Sequence, residues 1–216
     1  MISFYQYDTK VFPFITSVQE MLGELELQSL HERMDIVLLD REKDQSTELH
    51  KKFYSHFHNK TTEWEDFMKI YLPFLEPICE ELKYKNPLYQ TIPTFRVHAP
   101  GGKAVGEWHI DSDYNHSKNE WNIFLPVTDA YDTSTIFVEY PDDNITNLEA
   151  KYGDYYLWKG SVIKHGNVQN TTNQTRISLD FRVVDESQLD TKGKRSINNI
   201  TSMEVGGYWT KLKDKD

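Results

Sequence analysis

Three residues with metal-binding side chains have a spacing that could create a metal site. His109 and Asp111 lie two positions apart in the stretch Glu107–Asp113, which alternates polar and apolar residues as a β-strand does. Side chains two apart on a strand point to the same face, so the imidazole and the carboxylate would lie together. A second histidine, His165, follows a turn expected at Gly160. Two histidines and one carboxylate form the facial set that binds non-haem Fe(II) and leaves the opposite face of the metal open.

The segment after His165 strengthens this interpretation, because a His-x-Asp pair alone is common in a chain with 8 histidines and 34 acidic residues among 216. Shortly after His165, Arg176 opens a stretch of strict alternation that ends at Val183. One face of this stretch carries Arg176, Ser178, Asp180 and Arg182, and the other carries Ile177, Leu179, Phe181 and Val183. An earlier stretch has the same two faces, with Arg96 and His98 on one face and Phe95 and Val97 on the other.

Two arrangements explain strands that have one charged face. In a sandwich, the apolar faces form the core and the polar faces meet water. In a double-sheet barrel, the polar faces line a ligand cavity and helices cover the apolar outer faces. Buried arginine, aspartate and histidine are costly unless they bind something. The presence of helices elsewhere in the chain would favour the barrel.

The first 85 residues are predicted to supply such helices. Apolar residues recur at helical spacing over residues 16–34, and a second helix is expected over residues 46–57. Thr62 begins a Thr-x-x-Glu capping box that predicts a third helix, which Pro73 and Pro77 would kink or divide. We therefore expect residues 1–85 to form a mostly helical support packed on the outside of the barrel.

The pattern becomes β between residues 86 and 185. Strands are expected at 90–99, 107–114, 119–127, 135–140, 154–158, 161–168 and 175–184, with a polar hairpin connection at 170–174. This pattern predicts an α+β fold whose core is a double-stranded β-helix, that is, a jelly-roll or cupin-like barrel. Residues 186–216 are polar and rich in lysine, and would form a flap over the cavity or a loose tail. The length suits a single domain.

The order His109-x-Asp111, then His165-Gly166, then Arg176-x-Ser178 resembles the Fe(II)- and 2-oxoglutarate-dependent oxygenase superfamily. The spacing from the last histidine to the arginine is similar to that of the phytanoyl-CoA-hydroxylase-like branch and related biosynthetic hydroxylases. The resemblance covers about residues 90–185. It implies that the two histidines and the aspartate bind Fe(II), that 2-oxoglutarate and O2 use the open positions, and that 2-oxoglutarate is converted to succinate and CO2.

The resemblance also implies that Arg176 binds the distal carboxylate of 2-oxoglutarate, for which a guanidinium fork is suited. Asn122 and Ser178 face the same cavity in the strand pattern and are expected to hydrogen-bond the cosubstrate. Six residues are candidates to contact the substrate: Arg96, His98, Asp113, Asn115, His116 and Arg182. The arginines would suit a substrate carboxylate or phosphate, whereas Asp113 and the overall acidity would allow a cationic amine.

These observations predict an oxygenase that hydroxylates a small polar molecule, such as an amino acid or a natural-product intermediate. Two other functions stay open. One is a cupin-like metalloenzyme that uses the same three ligands but has no use for 2-oxoglutarate or Arg176. The other is a non-catalytic barrel that binds a sugar or a peptide through its polar face.

Composition argues against several other classes of protein. The net charge of −10 and the pI of about 5.3 disfavour a nucleic-acid partner, and the longest basic cluster, Lys192–Arg195, is small. We expect no membrane span and no signal peptide, because the sequence has no sufficiently long apolar run. Cys79 is the one cysteine, so no disulfide can form within the chain. A cytoplasmic location is expected, while the oligomeric state stays open.

Overall fold

The computed structural model describes residues 2–39, 45–103, 107–140, 142, 144–196 and 201–212. These residues contain three α-helices and ten β-strands. The helices are α1 (Phe14–Leu22), α2 (Glu48–Asn59) and α3 (Thr62–Glu81). The strands are β1 (Ile2–Gln6), β2 (Pro87–Gln90), β3 (Thr94–His98), β4 (Trp121–Pro126), β5 (Phe137–Glu139), β6 (Ile145–Asn147), β7 (Asp154–Trp158), β8 (Lys164–Gly166), β9 (Arg176–Asp185) and β10 (Trp209–Lys211).

The strands form two antiparallel sheets. The larger sheet has seven strands in the order β1-β7-β4-β9-β2-β10, and β3 also pairs with β9. The smaller sheet has the order β6-β5-β8. Strand β9 organises the larger sheet, because it pairs with β4 along one edge and with β2 and β3 along the other. The expected combination of helices with antiparallel strands is confirmed.

The helices cover the apolar face of the larger sheet. The apolar side chains on one face of β3, β4 and β9 belong to one buried cluster with residues from all three helices. Phe53 of α2 stacks on Phe95 of β3 with ring centroids 4.6 Å apart. Tyr71 of α3 meets Phe181 of β9 edge-on at 5.0 Å. The first part of the chain therefore packs on this sheet as predicted, and the charged residues of β9 point to the other side.

The opposite face of the larger sheet meets the smaller sheet. Phe124 of β4 and Trp158 of β7 lie in a second buried cluster together with Val138 of β5. Strand β1 forms the outer edge of the larger sheet beside β7.

Two predictions about the helices are wrong. The helix expected over residues 16–34 ends at Leu22, because Gly23 adopts a left-handed conformation with φ 64° and caps it. Helix α3 runs unbroken through Pro73 and Pro77, so the division expected as one alternative at these prolines is wrong. Both prolines lie on the exposed side of α3, so the carbonyl groups that lose a helical partner can bond to water.

Threonine side chains cap the other two helix starts. Helix α2 lies close to the expected range, and Thr47 caps it by accepting from the amide of His50. The cap of α3 is Thr61 rather than the expected Thr62, since the Thr61 hydroxyl accepts from the amide of Trp64 at 3.4 Å. The third helical residue after this cap is Trp64, so the expected Thr-x-x-Glu capping box does not form, although the predicted helix does.

Residues 107–114 do not form the expected strand. His109 makes an isolated bridge with His165, and the chain then turns into a 3-10 helix at Asp111–Tyr114. The amides of Asp113 and Asn115 donate to the carbonyls of Ile110 and Ser112, three residues earlier, instead of across a sheet. Alternation of residue types does not distinguish a β-strand from this turn. The pattern reflects which side chains are buried and not which backbone groups form hydrogen bonds.

Most of the other expected strands are shorter than predicted. Of the strand expected over residues 90–99, only Gln90, at the end of β2, and residues Thr94–His98, in β3, are observed as strand, and β6 and β10 were not predicted. The connection at residues 170–174 is not a hairpin, because it joins β8 of the smaller sheet to β9 of the larger one. Asn170 holds it in place by donating to the carbonyls of His98 and Gln174. Within the described ranges, no helix is long and apolar enough to cross a membrane.

Candidate metal centre

His109, Asp111 and His165 converge in the structure. Their ligand atoms all lie within 4.8 Å of one another. The Nε2 atoms of His109 and His165 lie 3.3 and 3.5 Å from Oδ1 of Asp111, and the two imidazole centroids are 4.3 Å apart. Among the described residues, no other group of His, Cys, Asp or Glu side chains converges in this way. The three residues expected as ligands are thus brought together, although Asp111 sits on a 3-10 turn.

Backbone carbonyls orient both imidazoles. Nδ1 of His109 lies 2.9 Å from the carbonyl oxygen of Glu107, and Nδ1 of His165 lies 2.9 Å from that of Ile163. A carbonyl oxygen can only accept, so each Nδ1 carries the proton and each Nε2 keeps a lone pair. Metal-binding histidines are commonly held by such contacts. Three electron-rich atoms facing one point fit a bound cation.

A cross-strand pair holds the other oxygen of Asp111. Asn122 on β4 and Arg182 on β9 are direct partners in the larger sheet, so their side chains project to the same face. Asn122 Nδ2 donates to Asp111 Oδ2 at 2.7 Å. Arg182 donates to the same oxygen from Nη2 at 2.7 Å and from Nε at 3.2 Å. Oδ2 is therefore satisfied within the protein, and Oδ1 faces the histidines.

These contacts keep Asp111 ionised. Burial alone would raise the pKa of Asp111, but the positive charge of Arg182 and the nearby imidazoles of His109 and His165 outweigh it and hold this pKa well below its usual value. Burial would also lower the pKa of Arg182, yet the neighbouring Asp111, Tyr208 and Glu120 keep it above its usual value. The carboxylate is consequently available as a metal ligand at neutral pH.

Gly160 leaves the space that the Asp111 contacts require. Its carbonyl accepts a hydrogen bond from the amide of Asp111 at 3.0 Å. A Cβ atom at this position would lie 2.5 Å from Asn122 Nδ2 and 3.0 Å from Asp111 Oδ2. A larger residue here would push the amide of Asn122 away from the carboxylate.

Arg176 is buried beside the cluster between the sheets. Only 1% of the residue is exposed, and its Cζ atom lies 5.5 Å from the centre of the Phe124 ring. Nη1 donates to Ser178 Oγ at 2.7 Å, while Nε has no hydrogen-bond partner among the described residues. Burial lowers the pKa of Arg176 to about 10, so the group stays charged at neutral pH. A buried cation with an unpartnered N–H is suited to bind an anion.

Aromatic residues connect Arg176 to the metal ligands. Phe124 packs in the same cluster as Trp158, and the Trp158 ring meets the His165 ring edge-on at 4.6 Å. The guanidinium of Arg176 and the imidazole of His165 therefore both lie next to the aromatic cluster between the two sheets.

A cavity of about 470 Å³ opens beside His109 and Asp111. Pockets that enclose small molecules commonly have volumes of roughly 300–1,000 Å³. Most wall residues offer hydroxyl, amide, guanidinium or imidazole groups. They come from α2, from the turn between β2 and β3, from the segment after Asp111 and from residues near the end of the chain. The cavity is therefore suited to a small polar molecule.

Three of the six candidate substrate residues line this cavity: Arg96, His116 and Arg182. Arg96 Nε donates to Asp180 Oδ2 at 3.2 Å. His116 Nδ1 lies 2.8 Å from Oε1 of Glu120, a completely buried carboxylate. Arg182 faces both the cavity and Asp111.

The other three candidates lie outside the described cavity wall. His98 is fully buried, and its two ring nitrogens face backbone carbonyl oxygens. Asp113 is exposed. Asn115 Nδ2 donates to the carbonyl of Arg195 at 2.9 Å. With Asp113 outside the wall, the reason to expect a cationic amine is weaker.

Several wall residues carry no signal in the sequence. Tyr54 and His58 come from α2, Gln90 comes from the end of β2, and Tyr208 comes from the tail that was expected to be a flap or loose. Strand β10 pairs with β2, and this pairing brings Tyr208 to the cavity. The tail would have been recognised as part of the wall only if that pairing had been known.

No protein-family model matches the chain. In sequence it is similar to the streptomycin biosynthesis protein StrG from Streptomyces griseus, with 31% identity over 207 residues that cover 94% of this chain and 95% of StrG. In structure it is similar to the non-heme monooxygenase ThoJ in its apo form, with a TM-score of 0.54, 9% identity and coverage of 99% of this chain and 81% of ThoJ. It is also similar to SnoN, a non-heme alpha-ketoglutarate-dependent epimerase from nogalamycin biosynthesis, with a TM-score of 0.52, 9% identity and coverage of 98% and 93%. The chain therefore belongs to the family of StrG, and its fold is similar to those of the non-heme enzymes ThoJ and SnoN.

Proposed function

We propose that this protein hydroxylates a small polar molecule in a reaction that uses Fe(II), 2-oxoglutarate and O2 and releases succinate and CO2. The observation that carries the proposal is the pairing of an open three-ligand metal site with a buried, charged and incompletely bonded arginine. Cosubstrate binding requires both features, because its keto-acid end needs free metal positions and its distal carboxylate needs a cation. When bound, the iron and the cosubstrate supply the activation of O2.

The protein residues bind and orient these groups. His109 and His165 would bind the metal through Nε2, and Asp111 would bind it through Oδ1. Asn122 would then hold the carboxylate of Asp111 in place rather than contact the cosubstrate. Each of these ligands is already oriented by a hydrogen bond on its far side, so metal binding requires little rearrangement.

Arg176 would bind the distal carboxylate of 2-oxoglutarate, with its unpartnered Nε as the donor. Ser178 would keep the guanidinium in position by accepting from Nη1. This arrangement favours 2-oxoglutarate over chemistry that needs only the metal. Burial of a charged arginine costs free energy, and an anionic ligand would compensate for that cost.

The substrate would occupy the cavity beside His109 and Asp111, where Arg96 and His116 offer hydrogen-bonding groups from the wall. The name of StrG places that relative in streptomycin biosynthesis. This supports a natural-product intermediate as the substrate of the present chain, with an amino acid of similar size as the second possibility.

We also infer how the regions of the chain combine. The strands of residues 86–185 would form the core of the two halves of a jelly roll, and the helices of residues 1–85 would support it from outside. Residues 186–216 would include a flap, since Tyr208 forms part of the cavity wall. All three regions would act as a single oxygenase domain.

Production of succinate tests the proposal. The purified protein is incubated with Fe(II), ascorbate and 2-oxoglutarate in air, and succinate is quantified by mass spectrometry with and without candidate polar metabolites. We expect slow succinate formation without substrate and faster formation with the correct one. Asp111→Ala should abolish succinate formation, whereas the exposed Asp66→Ala should not alter it. Wild-type protein that binds iron but forms no succinate would contradict the proposal.

A further inference from the structure

Arg182 contacts more than the metal ligand. On one side its Nε and Nη2 donate to Asp111 Oδ2. On the other side its Nη1 donates to the hydroxyl of Tyr208 at 3.0 Å, and the same nitrogen lies 3.3 Å from Gln90 Oε1. Glu120, which is completely buried, lies 3.3 Å from Nε and compensates the charge of the guanidinium. Arg182 therefore links a metal ligand to Tyr208 and Gln90, which also line the cavity.

Tyr208 belongs to the C-terminal segment, residues 201–212. This segment is attached to the sheet through β10, and the carbonyl of Tyr208 accepts from the amide of Thr91 at 2.9 Å. The ring of Tyr208 meets the ring of His116 edge-on at 5.4 Å. Both rings form part of the cavity wall. The position of Tyr208 thus helps to determine the shape of the cavity.

The geometry predicts an energetic connection between these two contacts. An Asp111 side chain fixed by a metal presents Oδ2 in one place, and Arg182 follows it because two of its nitrogens share that oxygen. The planar guanidinium is rigid, so placing Nε and Nη2 also places Nη1. Hydrogen bonds in a buried charged network reinforce one another.

We propose that Arg182 is a positioning residue that couples metal binding at Asp111 to the ordering of the C-terminal segment through Tyr208. The inference rests on the proposed metal centre, but it does not depend on 2-oxoglutarate or on any substrate. Coupling between two sites is reciprocal, so an ordered segment should also strengthen metal binding by the same factor. Metal binding would then stabilise the part of the cavity wall that Tyr208 forms.

Cobalt titration measures the first half of the coupling. Co(II) replaces Fe(II) as an air-stable probe, and its visible absorption reports the ligand geometry. We expect Arg182→Gln to weaken Co(II) binding by about 10- to 100-fold, as is usual when a residue that holds a metal ligand is lost, and to change the spectrum. Arg182→Lys should recover much of the affinity, because an ammonium can still bond to Asp111 Oδ2. An unchanged affinity and spectrum in Arg182→Gln would overturn the proposal.

Hydrogen–deuterium exchange measures the second half. In the wild-type protein, Co(II) should slow amide exchange in residues 201–212 by about fivefold or more, within the usual range of coupling between sites. Arg182→Lys should lose this protection, since one ammonium cannot hold Asp111 and Tyr208 together. Tyr208→Phe should also lose it and should weaken Co(II) binding by the same factor. Metal-dependent protection that persists in these variants would overturn the proposal.

Controls separate the proposal from general destabilisation and from failure of the proposed function. Tyr84→Phe removes another buried hydroxyl, one with no hydrogen-bond partner among the described residues, and should keep both the affinity and the protection. Tyr208→Phe retains the Asp111–Arg182 pair, so it serves if Arg182→Gln does not fold. Wild-type protein that binds Co(II) but not 2-oxoglutarate would refute the proposed reaction and leave the coupling open to these measurements. Wild-type protein that does not bind Co(II) would refute both.

Discussion

His98 on β3 and Arg176 on β9 are direct partners across the larger sheet, and both side chains are buried. Burial, together with the charge of Arg176, lowers the pKa of His98 to about 4. The imidazole is therefore neutral at neutral pH, and the pair carries one positive charge instead of two. This leaves the charge of Arg176 available to an anion in the layer between the sheets.

Replacement of Arg176 by alanine should selectively weaken 2-oxoglutarate binding. Loss of a buried charged hydrogen-bonding partner commonly costs about 2 kcal/mol or more, so we expect the dissociation constant for 2-oxoglutarate to rise roughly 30-fold or more. Iron affinity should not change, since Arg176 does not contact the metal ligands. Anaerobic calorimetry with each ligand measures the two affinities separately.

Two variants serve as controls for Arg176→Ala. Arg176→Lys should recover part of the affinity, because lysine keeps the charge but lacks the planar fork. Arg33→Ala removes an exposed arginine paired with Glu24 and should affect neither ligand. If Arg176→Ala binds 2-oxoglutarate as the wild type does, Arg176 is not the carboxylate-binding residue.

The buried His98 should make stability depend on pH. Its pKa in the folded protein, about 4, is below the unfolded value of 6.5, so the unfolded chain binds more protons between these values. The contribution of His98 to the free energy of unfolding has its full value above pH 6.5, decreases as the pH drops from 6.5 to 4, and is constant below pH 4. The full loss is about 3 kcal/mol. Urea denaturation of metal-free wild type and His98→Gln between pH 4.5 and 7.5 should show a shallower slope in the variant; equal slopes would contradict this assignment.

Alanine at Gly160 should disturb the metal centre without unfolding the protein. The added Cβ would meet Asn122 Nδ2 at 2.5 Å, so the amide must move away from Asp111. We expect Co(II) affinity to fall by about tenfold or more, the usual effect of losing a group that orients a ligand. In an Asn122→Ala background the clash with the amide is absent, and Gly160→Ala should then have a much smaller effect. Purely additive losses would show that the two positions do not interact.

The aromatic contact between α2 and the sheet should dominate the stability of the helical support. Phe95 is fully buried and stacks on Phe53. Phe95→Ala should therefore lower the free energy of unfolding by about 3–5 kcal/mol, measured by chemical denaturation. Phe4 is half-exposed at the sheet edge, and Phe4→Ala should cost far less. Similar losses in the two variants would mean that the helices contribute little.

The metal ligands could be predicted from the sequence because they depend on residue type and order. His109 and Asp111 are close along the chain, and His165 is followed at a characteristic distance by Arg176. The expected strand at this point was wrong, yet the ligands still converge. The reason is that the backbone bridge between His109 and His165 brings the two histidines together without an extended strand.

The contacts of Arg182 could not be predicted, because they depend on strand register. Alternation places Arg182 on the charged face of β9, but only the observed pairing of β9 with β4 sets it opposite Asn122. The contribution of Tyr208 was hidden for a similar reason. Tyr208 reaches the cavity because β10 of the C-terminal segment pairs with β2. The polar, lysine-rich composition of this segment does not indicate such a pairing.

Anaerobic titration of the wild-type protein with Fe(II) and then with 2-oxoglutarate tests the proposed reaction most directly. A 2-oxo acid that binds ferrous iron through two oxygens gives a weak visible charge-transfer band. We expect a single equivalent of iron to bind, and the band to appear and saturate with a single equivalent of 2-oxoglutarate. Asp111→Ala should show neither. Iron binding without the band would contradict the assigned cosubstrate, and absence of iron binding would contradict the metal centre itself.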